Sequence, residues 1–286
     1  LDYARLTRPN VHLIFEKNRT RFENFALRAS GSDWAYTLFR DLLGQNAMEQ
    51  GMENDFMGYR PSIVFVNGRY LGIHNIREKV DEDYIAGNHD MASGEFDLIE
   101  NEDFAEHGDL IAFNEFLSLL SKDLSIQSNF DAVAAVMDIQ NFTDYVITEM
   151  AVGNTSIDHN VMAWKPKGYG KWKWILMDLD RGFFNPSSNL IDFYIRQSSL
   201  PFKELMANDA YKSYFGKRLS DRLISTFSPA NMNDLIDKHM KDIEVEMPYH
   251  IYRWLGATSS YGNAIPSVSY WQTQIDRIRT FVNQRP

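Results

Sequence analysis

The chain has 286 residues, 44% of them hydrophobic and 14% aromatic, and carries a formal net charge of -10. That length and composition suit one large globular domain or two lobes and exclude a disordered polymer. The acidic balance argues against a general nucleic-acid or anionic-membrane binder, which needs a basic face, and leaves room for a local basic pocket; the lack of cysteine excludes thiol catalysis, disulfides and thiolate zinc sites.

No apolar run is long enough to span a membrane. The chain opens at Leu1 with no Met and no basic-then-apolar leader, so it reads as processed or trimmed, with any signal segment upstream. Residues 1–24 are mixed and polar, with a short strand expected at Val11 to Phe15. Phe25 to Gly31 reads as a strand ending in a Ser-Gly turn, and Asp33 as the N-cap of a helix from Trp34 to about Leu43. Ser62 to Val66 and Arg69 to Ile76 flank Asn67-Gly68, a strong hairpin signature because both turn positions tolerate positive φ. A helix start is expected over Asp81 to Ile85, and a short strand at Phe96 to Glu100.

From about Gly108 the pattern turns helical. Leu110, Phe113, Phe116, Leu117 and Leu120 recur at helical spacing, and Ile139 to Val152 is strongly apolar. Gly153-Asn154 stops that helix. Val161 to Trp164 and Lys171 to Met177 read as two strands joined by the Pro166 to Gly170 turn. Beyond Asn185 a Ser- and Asn-rich loop precedes helical periodicity over Tyr211 to Phe227, Ala230 to Ile251 and Gln272 to Val282.

The chemistry concentrates at Lys171 to Phe184. Trp172, Trp174, Leu176 and Asp178 alternate with Lys173, Ile175, Met177 and Leu179, and the run ends in Asp178 and Asp180 before Arg181-Gly182. A strand that delivers two carboxylates into a glycine turn suits oxygen-seeking Mg²⁺ or Mn²⁺. Carboxylates that merely solvate a turn explain the same pattern. The hairpin sharpens the argument: its start carries Asp158, His159 and Asn160 and its end Asp178 and Asp180, so the five should share one site. No second histidine lies at zinc-ligand spacing from His159, and no Gly-x-Ser-x-Gly elbow supports a serine hydrolase. Arg28 and Arg40 near Asp41 are expected to form a structural ion-pair network.

Longer motifs carry a resemblance. Phe25-Ala-Leu-Arg-Ala-Ser-Gly-Ser-Asp33, Phe39-Arg-Asp41, Arg60-Pro61, Val64-Phe-Val-Asn-Gly68, Tyr70-Leu-Gly-Ile-His-Asn-Ile-Arg-Glu-Lys79, Gly153-Asn154, His159-Asn160 and Trp174-Ile-Leu-Met-Asp-Leu-Asp180 together resemble the spore coat protein CotH family, over about residues 20 to 185. That family is similar to protein kinases in fold and contains secreted kinases that act on Ser or Thr with ATP. The resemblance implies an α+β, two-lobed, protein-kinase-like fold, with a β-rich N-lobe over 1–105, trimmed at its N-terminus, and a mostly helical C-lobe over 106–286 that carries the site hairpin.

It also implies roles. Asp180 would be the metal-binding carboxylate, Asn160 a second metal ligand and Asp178 a support for the metal. A carboxylate of the 154–160 loop would orient the nucleophilic hydroxyl, with Asp158 as the substitute since position 156 is Ser, and Arg77, Glu78 and Lys79 would form the nucleotide-facing group, with Glu78 paired to one of the two cations. ATP and Mg²⁺ or Mn²⁺ are the implied cofactors, a secreted or coat protein the implied substrate, and the cell surface or exterior the implied location. The family places an Asp two residues after the position of Asn154, where this chain has Ser156, and carries a basic segment upstream of Leu1. Two other readings use the same residues: a degenerate CotH-like surface or coat interaction module, and a metal-dependent hydrolase that directs the carboxylates at water.

Overall fold

The computed structural model describes residues 22–157, 159–197 and 201–285. The expected strand at Val11 to Phe15 and the candidate base Asp158 lie outside the described residues. Strand β1 (Ala26–Arg28) leads into a 3-10 turn, Gly31–Asp33. Helix α1 then starts at Arg40, not Trp34, and runs over Arg40–Glu49. Leu38 is the reason: its φ of 71° is left-handed and breaks the helical path. Asp33 still acts as an anchor, accepting from the Thr37 amide at 3.1 Å, the Thr37 hydroxyl at 2.8 Å and the Arg40 amide at 3.0 Å.

Five further strands and one helix follow: β2 (Asp55–Phe56), β3 (Tyr59–Val66), β4 (Arg69–Arg77), α2 (Glu82–His89), β5 (Phe96–Glu100) and β6 (Phe104–His107). The β3–β4 hairpin turns at Asn67 and Gly68, with φ of 50° and 76°, as the Asn-Gly signature requires. Asp81 caps α2 by accepting from the Tyr84 amide at 3.1 Å. The helical stretch supplies α3 (Ile111–Leu120), α4 (Gln127–Val136) and α5 (Ile139–Val152), which Gly153 ends at φ 76°. The second hairpin is β7 (Met162–Pro166) and β8 (Lys173–Leu176). After it come α6 (Leu190–Ile195), α7 (Phe202–Leu205), α8 (Asp209–Ile224), α9 (Pro229–Ile243), α10 (Met247–Arg253) and α11 (Val268–Gln284). The single helix expected over Ala230 to Ile251 is two, because Pro248 lacks an amide proton and sits in the first turn of α10.

The described residues form an α+β fold with a three-stranded sheet, β1-β4-β3, and a five-stranded sheet, β2-β8-β7-β5-β6. Strand type changes to helix type near residue 105, but the larger sheet crosses that point: β5 pairs antiparallel with β7, and β2 pairs parallel with β8. The alternation along β8 serves two apolar clusters. Trp172, Trp174, Leu176 and Leu179 belong to the main core with α5, whereas Ile175 faces a second cluster with Tyr84, Phe96 and Trp164.

Two buried histidines dock the smaller sheet onto the C-terminal helices. His239 Nδ1 lies 2.8 Å from the Tyr59 hydroxyl, and His250 Nδ1 accepts from the Ile73 amide at 3.0 Å. Gly72 makes the second contact feasible, since a Cβ there would stand 2.4 Å from His250 Nδ1. Burial, reinforced by Lys238, lowers the His239 pKa to about 3. Burial, reinforced by His74, lowers that of His250 to about 4. The unfolded chain therefore binds protons that the folded one refuses, and this part of the stability is full above about pH 6.5 and lost as the pH falls toward 4. In denaturant titrations, the stability difference between the native chain and His250→Gln should shift by about 3 kcal/mol in the variant's favour between pH 7 and pH 4. A pH-independent difference would show that His250 does not titrate as its surroundings dictate.

Candidate functional site

Strand β8 is held on both sides, by β7 and β2, and stops at Leu176. Two residues on, Asp178 takes a φ of 55°. Asp is among the few residues that visit this left-handed region, at a cost of about 1 kcal/mol. The turn separates Asp178 and Asp180 from the plug between them. Leu179 is fully buried, and its amide donates to Asp41 Oδ1 at 3.0 Å. Its side chain presses on Gly44 of α1, where a Cβ would come within 2.4 Å of Leu179 Cδ1. Leu179 thus anchors the turn while the carboxylates flank it.

The two carboxylates share one cation. Arg28 Nη2 contacts Asp178 Oδ1 and reaches Asp180 Oδ2 at 3.0 Å. Asp180 Oδ2 also accepts from the Ser32 amide at 2.8 Å. Gly31 permits this approach: its φ is 52°, and a Cβ would lie 2.2 Å from Asp180 Oδ2. Burial and the neighbouring Asp178 raise the Asp180 pKa to about 6, against the Ser32 amide and Arg28. Two carboxylates crowded in this way gain from a shared positive charge.

Beneath them lies a buried ionic layer. Arg77 Nη1 donates to Asp41 Oδ2 at 2.5 Å, and Gln45 Nε2 donates to Asp41 Oδ1 at 2.7 Å. Burial alone would raise the Asp41 carboxyl, but Arg77, Arg28 and the Leu179 amide hold it at about 2. Arg40 Nε lies 3.4 Å from Asp33, and its guanidinium packs 3.8 Å from the centre of the Phe184 ring. Arg28, Arg40 and Arg77 line a small cavity with Asp33, Asp41 and Asn75, with room for about one water molecule. The expected network of Arg28, Arg40 and Asp41 is therefore present in altered form: Arg28 serves the carboxylate pair, Arg40 serves Asp33, and Asp41 takes Arg77.

The loop after α5 is fixed by Asn154, which is fully buried. Its Nδ2 donates to Glu149 Oε2 at 2.8 Å and approaches the Asp178 carbonyl at 3.5 Å, and its Oδ1 accepts from the Ser156 amide at 3.1 Å. Burial raises the Glu149 pKa to about 8 despite hydrogen bonds from Asn154 and Tyr194, with Asp178 and Asp41 adding to the rise. At neutral pH Glu149 is thus mostly a neutral acid that braces the loop.

Of the residues marked from the sequence, Asp178 and Asp180 come together around Arg28. Asn160 donates through Nδ2 to the Ser156 carbonyl at 3.2 Å, so Oδ1 is the atom that could face a metal. His159 is exposed, and Asp158 is outside the described residues. Arg77 is buried against Asp41, and Lys79 is exposed and pairs with Asp81 at 3.2 Å. Glu78 accepts from the Gly58 amide at 2.8 Å and from Asn88 at 3.2 Å. Arg77 points inward to the buried Asp41 carboxylate and Lys79 outward to Asp81. Arg28, Asp41, Glu149 and Asn154 are the site-shaping residues whose parts here were not assigned from sequence.

Mg²⁺ and Mn²⁺ take one or two protein carboxylates and fill their shells with water and phosphate oxygens. The Asp178–Asp180 pair fits that demand, since it already holds a cationic nitrogen between one oxygen of each. Among the described residues no group of three or more His, Asp or Glu side chains gathers into a metal cage. The pair therefore suits a metal that arrives with ligand oxygens better than a closed structural site. A family model described as CotH kinase protein matches residues 10–286. No curated protein matches the chain.

Proposed function

The chain belongs to the CotH family, and from that premise we propose that it transfers the γ-phosphoryl group of ATP to a Ser or Thr hydroxyl of a secreted or coat protein, with Mg²⁺ or Mn²⁺. The α+β fold fits this kinase-like family. The observation that carries the finer reading is the cation shared by Asp178 and Asp180 at the end of β8. Asp180 and Asp178 would hold the metal, with Asn160 as a further oxygen ligand. Bound metal and ATP would supply charge neutralisation on the phosphates and the phosphoryl group itself.

The chain's own residues do the positioning. Leu179 and Asp41 fix the backbone between the carboxylates, and Asn154 ties the 154–160 loop to the carbonyl of Asp178. Asp158 is proposed as the carboxylate that accepts the hydroxyl proton as the new O–P bond forms and the β,γ-bridging bond to ADP breaks. Secretion or display at the cell surface is part of the same proposal. Ser156 in place of the family's Asp favours a second reading, a CotH-like interaction module without turnover.

A thermal-shift titration with ATP, with and without Mg²⁺ or Mn²⁺, separates these readings. A ligand at 100 times its Kd stabilises the folded state by about 2.7 kcal/mol. The expected result is a rise in Tm that requires nucleotide and metal together, followed by phosphate on a protein hydroxyl by mass spectrometry. No shift at millimolar nucleotide with either metal would remove the phosphotransfer reading.

A further inference from the structure

We infer that Arg28 is a resident counter-cation of the carboxylate pair, displaced when a divalent cation binds, so that it weakens metal binding in the absence of nucleotide and makes the two ligands bind together. The inference rests on the metal reading of Asp178 and Asp180. Its geometric basis is that one nitrogen, Arg28 Nη2, contacts Asp178 Oδ1 and Asp180 Oδ2. A divalent ion coordinating those oxygens would meet a guanidinium at hydrogen-bonding distance from them. Two cations cannot share so short a span without strong repulsion.

The root of Arg28 is fixed in the sheet, and its head, held by the two carboxylates, is partly exposed. Its backbone pairs with Asn75 of β4, and Asn75 Nδ2 in turn donates to Ser30 Oγ at 3.2 Å and to the Leu38 carbonyl at 3.3 Å. The Arg28 side chain is 27% exposed, against 1% for Arg77. The small cavity beside Asp41 holds no more than about one water and is lined by Arg40 and Arg77, so the exposed side is the direction in which the guanidinium can turn, toward a ligand. Displaced, it remains a mobile positive charge beside the metal. The anionic phosphates of a nucleotide would satisfy that charge, whereas metal alone leaves it facing a second cation. Metal and nucleotide then favour each other's binding through Arg28, and that coupling is reciprocal.

The test is the Kd for Mn²⁺ without nucleotide, by electron paramagnetic resonance, on the native chain, Arg28→Gln, Arg28→Lys and Asp180→Asn. Arg28→Gln should bind Mn²⁺ about 10-fold or more tightly than the native chain, a change worth about 1.4 kcal/mol. Arg28→Lys should stay near the native value, and Asp180→Asn should lose binding. Equal or weaker binding by Arg28→Gln, with the native chain still binding, would overturn the counter-cation role and leave the metal reading standing. No Mn²⁺ binding by any folded protein, with or without ATP, would overturn both. Should Arg28→Gln not fold, the Arg28 Nε–H resonance of the native chain decides: it should move on titration with Mg²⁺, and a resonance unmoved at saturating metal would overturn the inference.

Discussion

Asp180→Asn should abolish metal-dependent nucleotide stabilisation and lower any phosphoryl transfer at least about 100-fold, the scale on which removal of one electrostatic catalytic group is felt. The fold should survive. Asn has nearly the shape of Asp, and its Oδ1 can still accept from the Ser32 amide, which now bonds Asp180 at 2.8 Å. The substitution also removes a carboxylate whose pKa is raised to about 6 by burial and by Asp178. Above that pH the ionised group is a burden on the folded state, so the variant should melt no lower than the native chain at pH 7.5. The measurement is a pair of melting curves with and without ATP and Mn²⁺, beside a radiolabel transfer assay. Retained nucleotide stabilisation in Asp180→Asn would show that the carboxylates serve only the turn.

Arg77→Met should have the opposite profile, a large loss of stability. Arg77 and Asp41 are both buried and bonded at 2.5 Å. Removing one partner leaves a buried, uncompensated charge, with a typical penalty of about 3–5 kcal/mol. The stability that Asp41 contributes through its depressed pKa is present above about pH 4 and is lost as the pH falls toward 2. That acid limb should disappear in the variant. Adding Asp41→Asn should recover much of the loss, since the amide oxygen can still accept from Leu179, whose bond is now 3.0 Å. Urea denaturation of the single and double variants supplies the comparison. An additive loss in the double variant would mean that Arg77 acts by packing and not through Asp41. The two predictions separate layers: on the proposed reading the upper carboxylates serve ligands, and the lower pair serves the fold.

Local chemistry was legible in the sequence wherever adjacent residues dictate it. Asn67-Gly68 specifies its turn through backbone freedom alone, and Gly153 ends α5 for the same reason. The β7–β8 hairpin and the placement of Asp178 and Asp180 past its end followed from alternation and a Pro/Gly turn. What long-range geometry decides was not legible. Nothing in Phe25 to Gly31 announces that Arg28 meets carboxylates about 150 residues away. Leu38 adopts a left-handed φ that its own side chain disfavours, because Asp33 and the Arg40 amide hold the turn around it. The break before α10 had a local signal in Pro248, and the apolar periodicity on either side obscured it. Strands β2 and β6 and helices α6 and α7 are short, and their existence depends on neighbours rather than on pattern.

The crossing of the larger sheet has a consequence for how the chain is made. Asp55 of β2 lies beside Ile175 of β8, and Leu98 of β5 beside Trp164 of β7. A ribosome delivering the chain from its N-terminus releases β2, β5 and β6 long before the two strands that will sit between β2 and β5. Pairings of such sequence separation form late, after the entropy of closing a long loop has been met. Until then β2 has no sheet to join, and Arg28, Asp41 and Arg77 emerge without the turn that carries Asp178 and Asp180. The carboxylate pair is therefore completed only after β8 docks, which ties the readiness of the site to the closure of the larger sheet.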